Sequence, residues 1–160
     1  MSITTTTLTD IQDFIVRQVK KSAEFDALSQ TLISASLDFY RGSDLSKAVE
    51  ETPYFIGYKF NSQDVENQDS SWVVQYVIAI DGKSTPVVDG DNITLYEDSD
   101  NVEQLAAKAL DIIREGLSAG DLGGICTIRV VDTNILITEI GEADDVQAIV
   151  TLRLQDYKIL

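Results

Sequence analysis

Ser70-Ser71-Trp72-Val73-Val74-Gln75-Tyr76-Val77-Ile78-Ala79-Ile80-Asp81 decides the reading of this chain. Trp72, Val74, Tyr76, Ile78 and Ile80 alternate with Val73, Gln75, Val77, Ala79 and Asp81. Strict alternation in a run rich in β-branched and aromatic residues is the period-two signature of a strand. The first set has the bulk to fill a core. The second is smaller and includes Gln75 and Asp81, so it is expected to meet a thinner layer, a neighbouring subunit or water. Asp81-Gly82 stops the run with turn chemistry. The stretch reads as a middle strand on which the remaining elements pack or pair.

Upstream, Tyr54, Ile56, Tyr58 and Phe60 alternate with Phe55, Gly57 and Lys59 in a second strand. Pro53 biases Thr52 towards extended backbone at its entry. Ser62 to Ser71 is polar and acidic and too long for a tight hairpin, so it reads as a protruding loop between antiparallel neighbours. Further back, Ser29 to Gly42 satisfies both periods: Ile33, Ala35, Leu37 and Phe39 alternate, whereas Leu28, Leu32, Ala35 and Phe39 fit a helix. Ser43-Asp44 is suited to cap a short helix before Pro53. The amphipathic stripe Ile11, Phe14, Ile15, Val19 and Ala23 predicts a first helix ending between Ser22 and Leu28. Thr9-x-x-Gln12 has the form of a capping box at its start. Residues 1–8 read as a Thr-rich flexible arm, and the 160 residues as one domain.

Downstream, Val87-Val88 and Ile93 to Tyr96 predict short edge pieces. Val102, Leu105, Ala106, Ala109, Leu110, Ile113 and Leu117 step by three and four, predicting a long helix with Asp100-x-x-Glu103 as its capping box and Gly120 just beyond its end. Ile125 to Val131 and Ile135 to Ile140 flank Asp132-Thr133-Asn134, which predicts a hairpin. Ala148, Val150, Leu152 and Leu154 alternate in a last strand. The order of elements predicts an α+β fold: an antiparallel or mixed sheet with helices mainly on one face.

Composition narrows the chemistry. The chain has no His and one Cys, Cys126, which rules out an internal disulfide, Cys–His and Ser–His–Asp catalysis, and the commonest zinc ligand. Neither an enzymatic role nor a cofactor is expected. Asp89-Gly90-Asp91-Asn92 and Asp98-Ser99-Asp100-Asn101 supply oxygen donors but lack the EF-hand spacing, so a turn and a helix cap account for them. Gly120-Asp121-Leu122-Gly123-Gly124 lacks the Lys-Ser/Thr of a phosphate loop. No basic-then-apolar leader and no membrane-length apolar run are read in the sequence, so a cytoplasmic, reducing setting is expected.

Acidic residues outnumber basic ones 27 to 12, for a net charge of −15. Thirteen acids between Asn61 and Gly124 face only Lys83, Lys108 and Arg114. Such a surface repels duplex phosphate, so a nucleic-acid-binding module is not expected; it either keeps the chain soluble or keeps nucleic acid from sticking.

The amphipathic first helix, the entry Pro53-Tyr54-Phe55-Ile56, the polar loop, the central strand from Trp72, the lone helix Val102 to Leu117, the β hairpin and the terminal alternating strand come in an order that resembles the tail terminator (tail completion) proteins of long-tailed bacteriophages. It covers most of residues 9 to 156. The resemblance is one of layout and carries no motif, so it assigns no catalytic or binding residue. The N-terminal arm and residues 29–52 depart from the family's pattern. The resemblance implies a hexameric ring at the tail–neck junction of the virion, made in the bacterial host cytoplasm. It implies a tail tube protein and a head–neck connector as partners, and DNA passing through without specific binding. From the residues themselves, the regular last strand and apolar ending mark Val150, Leu152, Leu154, Tyr157, Ile159 and Leu160 as a candidate subunit interface at a sheet edge. Asp64, Glu66 and Asp69 are candidates for a lumen or rim loop. The alternative from another class is a small acidic monomeric binding or inhibitor protein that mimics nucleic acid.

Overall fold

A computed structural model describes residues 8–42, 53–58, 71–82, 87–119, 126–140 and 145–158. Its order is α1 (Leu8–Lys20), α2 (Ala23–Ile33), β1 (Asp38–Gly42), β2 (Tyr54–Tyr58), β3 (Ser71–Asp81), β4 (Val87–Val88), β5 (Thr94–Leu95), α3 (Glu97–Ser118), β6 (Cys126–Ile140) and β7 (Asp145–Lys158). Five strands form one sheet in the order β1-β2-β3-β7-β6, with β1 and β2 parallel and the other pairs antiparallel. The fold is α+β with a mixed sheet, and β3 is its middle strand.

One face of that sheet holds the core. Trp72, Val74, Tyr76, Ile78 and Ile80 meet Ile11, Ile15 and Val19 of α1 and Leu105, Ala109 and Ile113 of α3. The whole stripe from Val102 to Leu117 on α3 is buried, as its spacing requires. Phe55 stacks on Tyr76 with centroids 5.1 Å apart, and Phe39 lies 5.3 Å from Phe55, so an aromatic row runs across β1, β2 and β3. Tyr76 ends it by donating its hydroxyl to the Ala106 carbonyl at 2.8 Å. α1 approaches β2 closely because Gly57 has no side chain: a Cβ there would stand 2.5 Å from Val16 Cγ2. Gln12, buried beside it, donates to the Gly57 carbonyl at 2.6 Å and the Gly42 carbonyl at 3.1 Å.

The second face is also covered in part. Tyr54, Ile56, Val77 and Ala79 form a smaller buried cluster, with Tyr40 and Ile149 packed on it. Gln75 is half-buried and donates to Thr151 across the β3–β7 pair at 2.9 Å, while Asp81 is exposed.

Several boundaries differ from the sequence reading. α1 already begins at Leu8, so Thr9 lies inside it and Gln12 serves the sheet rather than a capping box. It ends at Lys20, short of the expected Ser22, because Ser22 caps a new helix by accepting from the Phe25 N–H at 3.2 Å. Ser29 to Gly42 is part helix and part strand: α2 stops where Ser34 turns left-handed at φ 56°, and β1 follows from Asp38. α3 starts at Glu97, which puts Asp100 within its first turn. β4 and β5 pair only with each other in a separate ribbon, not along the main sheet.

Two corrections bear on function. Asp132-Thr133-Asn134 is not a hairpin turn. β6 runs through it as one strand of 15 residues, with a bulge between Val130 and Asp132, and pairs along its length with β7. β7 therefore lies between β3 and β6, and Val150, Leu152 and Leu154 are fully buried core residues, each at 0 % exposure. The sheet edge expected at β7 is at β6. The expected arm up to residue 8, the Ser43-Asp44 helix, the loop Ser62 to Ser71, Gly120 to Gly124, Ile159 and Leu160 fall at or beyond the limits of the described residues; of these only Leu8, within α1, and Ser71, the first residue of β3, are described.

Candidate interaction surface

Among the described residues, the sheet ends in β1 on one side and β6 on the other. β1 has five residues and β6 has 15. A strand at a margin presents a row of backbone N–H and C=O groups to any further strand, and short edges limit that exposure. β6 is long, and it carries Val131, Ile135 and Leu136 at 41, 37 and 52 % exposure. Register distributes these side chains around the margin: Ile135 stands opposite Val150 on the helix-covered face, Leu136 stands opposite Ile149 on the second face, and Val131 sits in the bulge.

Among the described residues, the remaining large exposed apolar side chains are Val87, Val88, Ile93 and Tyr96, all on or beside the β4–β5 ribbon. Its turn is held by Asp89, whose carboxylate accepts from the N–H groups of Asp91 and Ile93 at 2.9 and 3.0 Å. Asp89 and Ile93 also share a backbone bond of 2.9 Å, and Asn92 adopts φ 63°. The oxygen donors of Asp89-Gly90-Asp91-Asn92 thus build a turn. Among the described residues, no group of three or more acidic or Cys side chains is arranged to hold a metal ion.

The two patches differ in the cations near them. No Lys or Arg occurs from Val87 to Ala107, and Asp91, Glu97 and Asp100 are exposed there. On the second face beside β6, Arg129 stands opposite Gln155 and Arg153 opposite Asp132, so both arginines share the face that carries Leu136. Both are exposed. Elsewhere, Glu24 and Lys108 pair at 2.9 Å; their hydrogen bond lowers the carboxyl and raises the ammonium from their ordinary values. Burial, and then the Asp145 charge, push the Tyr54 phenol up.

The residues singled out from the sequence are distributed differently. Val150, Leu152 and Leu154 belong to the core, and Tyr157 lies in β7 near the far end of its ladder with β6. Asp64, Glu66, Asp69, Ile159 and Leu160 lie outside the described residues. The sequence reading missed Ile135 and Leu136, although Asn134-Ile135-Leu136-Ile137 already offered apolar side chains to both faces of one strand, more than a single core needs. No protein-family model matches the chain, and no curated protein matches it. No helix among the described residues is long and apolar enough to cross a membrane.

Proposed function

We propose that this chain is a non-enzymatic structural subunit of a long-tailed bacteriophage, forming a closed ring that completes the tail tube and joins it to the head–neck complex. The observation that carries the reading is the long β6 margin with apolar side chains around it. A monomer leaves this surface wet, and association covers it. The order of elements, in which α1 and α3 cover one face of a sheet centred on β3, is compatible with the resemblance to tail terminators. A ring is the closed solution for head-to-tail contacts, which otherwise grow into filaments. The partners are then the tail tube protein and the head–neck connector, and the site of action is the tail–neck junction of the virion, after synthesis in the bacterial host cytoplasm.

The net charge of −15 suits a conduit for DNA, because acidic walls release no counterions to passing phosphate and do not retain it. Asp64, Glu66 and Asp69 are the proposed lumen or rim acids. Multi-angle light scattering and negative-stain microscopy of the purified chain, alone and with tail tubes, test the reading. Closed rings, free or capping tubes, are the expected result. A monomer that ignores tubes at every concentration refutes it and favours the acidic nucleic-acid mimic.

A further inference from the structure

We infer that α2 is a strap that opens as one unit over the aromatic row of β1 and β2 while the rest of the domain stays folded. The device does not depend on ring assembly. α2 differs from its neighbours in how little of it is buried. Only Phe25 and Ser29 of its 11 residues are buried, at 2 and 0 % exposure, with Leu28, Leu32 and Ile33 partly buried against the core. α1, by contrast, buries seven residues of 13. The polar groups of α2 are satisfied within residues 22–36. Ser22 accepts from the Phe25 N–H at 3.2 Å, Ser29 donates to the Ala35 carbonyl, and the Ser34 N–H donates to the Gln30 carbonyl at 3.0 Å. Gln30 donates to Ser36 at 2.8 Å and Ser36 to Asp26 at 2.7 Å, which ties the exit of the helix back onto its exposed side. All these bonds travel with the segment, so opening breaks none of them.

The links to the rest of the domain are few. The pivots are Ser22, whose backbone is extended at ψ 115° and whose N–H donates to the Val19 carbonyl at 3.2 Å, and Ser34, left-handed at φ 56°. Beyond them, two bonds among the described residues reach from the segment to α3. Lys108 pairs with Glu24 at 2.9 Å, an exposed ion pair that salt screens. Asn101 donates to the Leu32 carbonyl at the long distance of 3.4 Å. The deep anchor is the Phe25 ring, edge-on to Phe39 and Phe55 with centroids 6.2 and 6.5 Å away. A segment with one deep anchor, its own internal bonds and two weak links opens at less cost than global unfolding. Its opening withdraws Phe25 and uncovers Phe39 and Phe55, the β1 and β2 members of the row that stacks on Tyr76. Glu24 and Lys108 are the latch of this strap, and Phe25 is its plug.

Hydrogen exchange of the full chain at rising, sub-denaturing urea, read by mass spectrometry on overlapping peptides, tests the strap. Amides of residues 25–33 are expected to exchange together, at least about tenfold faster than those of residues 105–117 in α3. Their urea dependence is expected to be shallower, because opening the strap exposes less surface than unfolding the domain. Phe25→Leu keeps an apolar side chain but loses the edge-on ring contacts, and is expected to open the strap about tenfold more often. Glu24→Gln, at an exposed position, is expected to raise opening about twofold, as is high salt on the wild type. Circular dichroism confirms the fold of each variant. Amides of 25–33 that exchange only with those of 105–117, at one rate and one urea dependence, overturn the inference. A gradient of protection along α2 overturns it too, since that is fraying and not a joint opening. Unchanged α2 rates in both variants do the same.

Discussion

Replacing Gly57 by Ala tests how α1 is seated on the sheet. The new Cβ stands 2.5 Å from Val16 Cγ2, with Gln12 Cγ and the Gln12 carbonyl at 3.4 Å, which is ordinary contact. The clash is therefore with one methyl group. Val16 is β-branched and helical, so one χ1 rotamer dominates and rotation away is costly. It is also 8 % exposed, so no open space receives it. Relief has to come from lifting α1 off β2, and that stretches the Gln12 bonds to the Gly57 and Gly42 carbonyls. Overpacking of this kind costs about 1–3 kcal/mol. For a domain of this size that is a fall of roughly 2–4 °C in Tm per kcal/mol.

The partner substitution makes the reasoning specific. Val16→Ala alone removes two buried methyl groups and is expected to cost about 1–3 kcal/mol. In the double variant the methyl group added at position 57 occupies space that Val16 gave up, so the two costs do not add; the coupling is about 0.5–3 kcal/mol in the favourable direction. Trp72 is the chain's only tryptophan and lies buried at 7 % exposure, so its fluorescence during urea unfolding reports loss of the core. A Gly57→Ala change within about 0.5 kcal/mol of wild type, or strict additivity in the double variant, refutes the close approach.

Two further predictions use the same core. Ile113→Ala empties a site at 0 % exposure between α3 and the sheet and is expected to cost about 2–5 kcal/mol in urea unfolding; a cost below about 1 kcal/mol would show that this face of α3 is not the buried one. Burial pushes the Tyr76 phenol far above its ordinary value, so its contribution to stability is complete below pH about 10 and declines as the unfolded chain ionises above that, by about 1.4 kcal/mol per pH unit. Tyr76→Phe costs about 0.5–1.5 kcal/mol at neutral pH through the lost bond to Ala106, and it makes the decline between pH about 10 and 11.5 shallower; an unchanged slope contradicts the assignment.

The elements that were legible in the sequence are those whose period is long and whose buried face is single. β3 alternates for its whole length, and α3 steps by three and four over seven apolar positions, so no competing pattern fits. Residues 29–42 were ambiguous because two elements share them. Ser29 and Leu32 belong to α2, Phe39 belongs to β1, and the change of backbone occurs at Ser34, whose left-handed conformation nothing in its side chain demands. The start of α3 lies before the capping box at Asp100 because no side chain caps the helix at Tyr96, so the sequence carries no signal at its true first residue, Glu97. Asp132-Thr133-Asn134 was misread for a physical reason. Turn propensity is local, whereas the ladder to β7 continues on both sides and overrides it. Asp132 gains an opposite charge, Arg153, directly across that ladder, and the bulge absorbs Val131.

The candidate interface is placed differently by the structure for another reason. Regular alternation and last place in the chain suggest an edge for Val150, Leu152 and Leu154, but neither fixes strand order, and β7 lies between β3 and β6. The alternation belongs to an interior strand, and among the described residues the margin of the sheet is a strand of 15 residues. Two of the usual protections of an edge are incomplete there. The strand is not short, and its central residues Thr133 to Ile137 include no charge. Only the bulge at Val131 twists the margin locally. A chain of charge −15 resists indiscriminate aggregation by long-range repulsion, which leaves such an edge accessible to a partner that brings both apolar cover and the right local charge. In the proposed assembly the margin of β6 supplies the driving force for association, and the acidity of the chain restricts it to a matched surface.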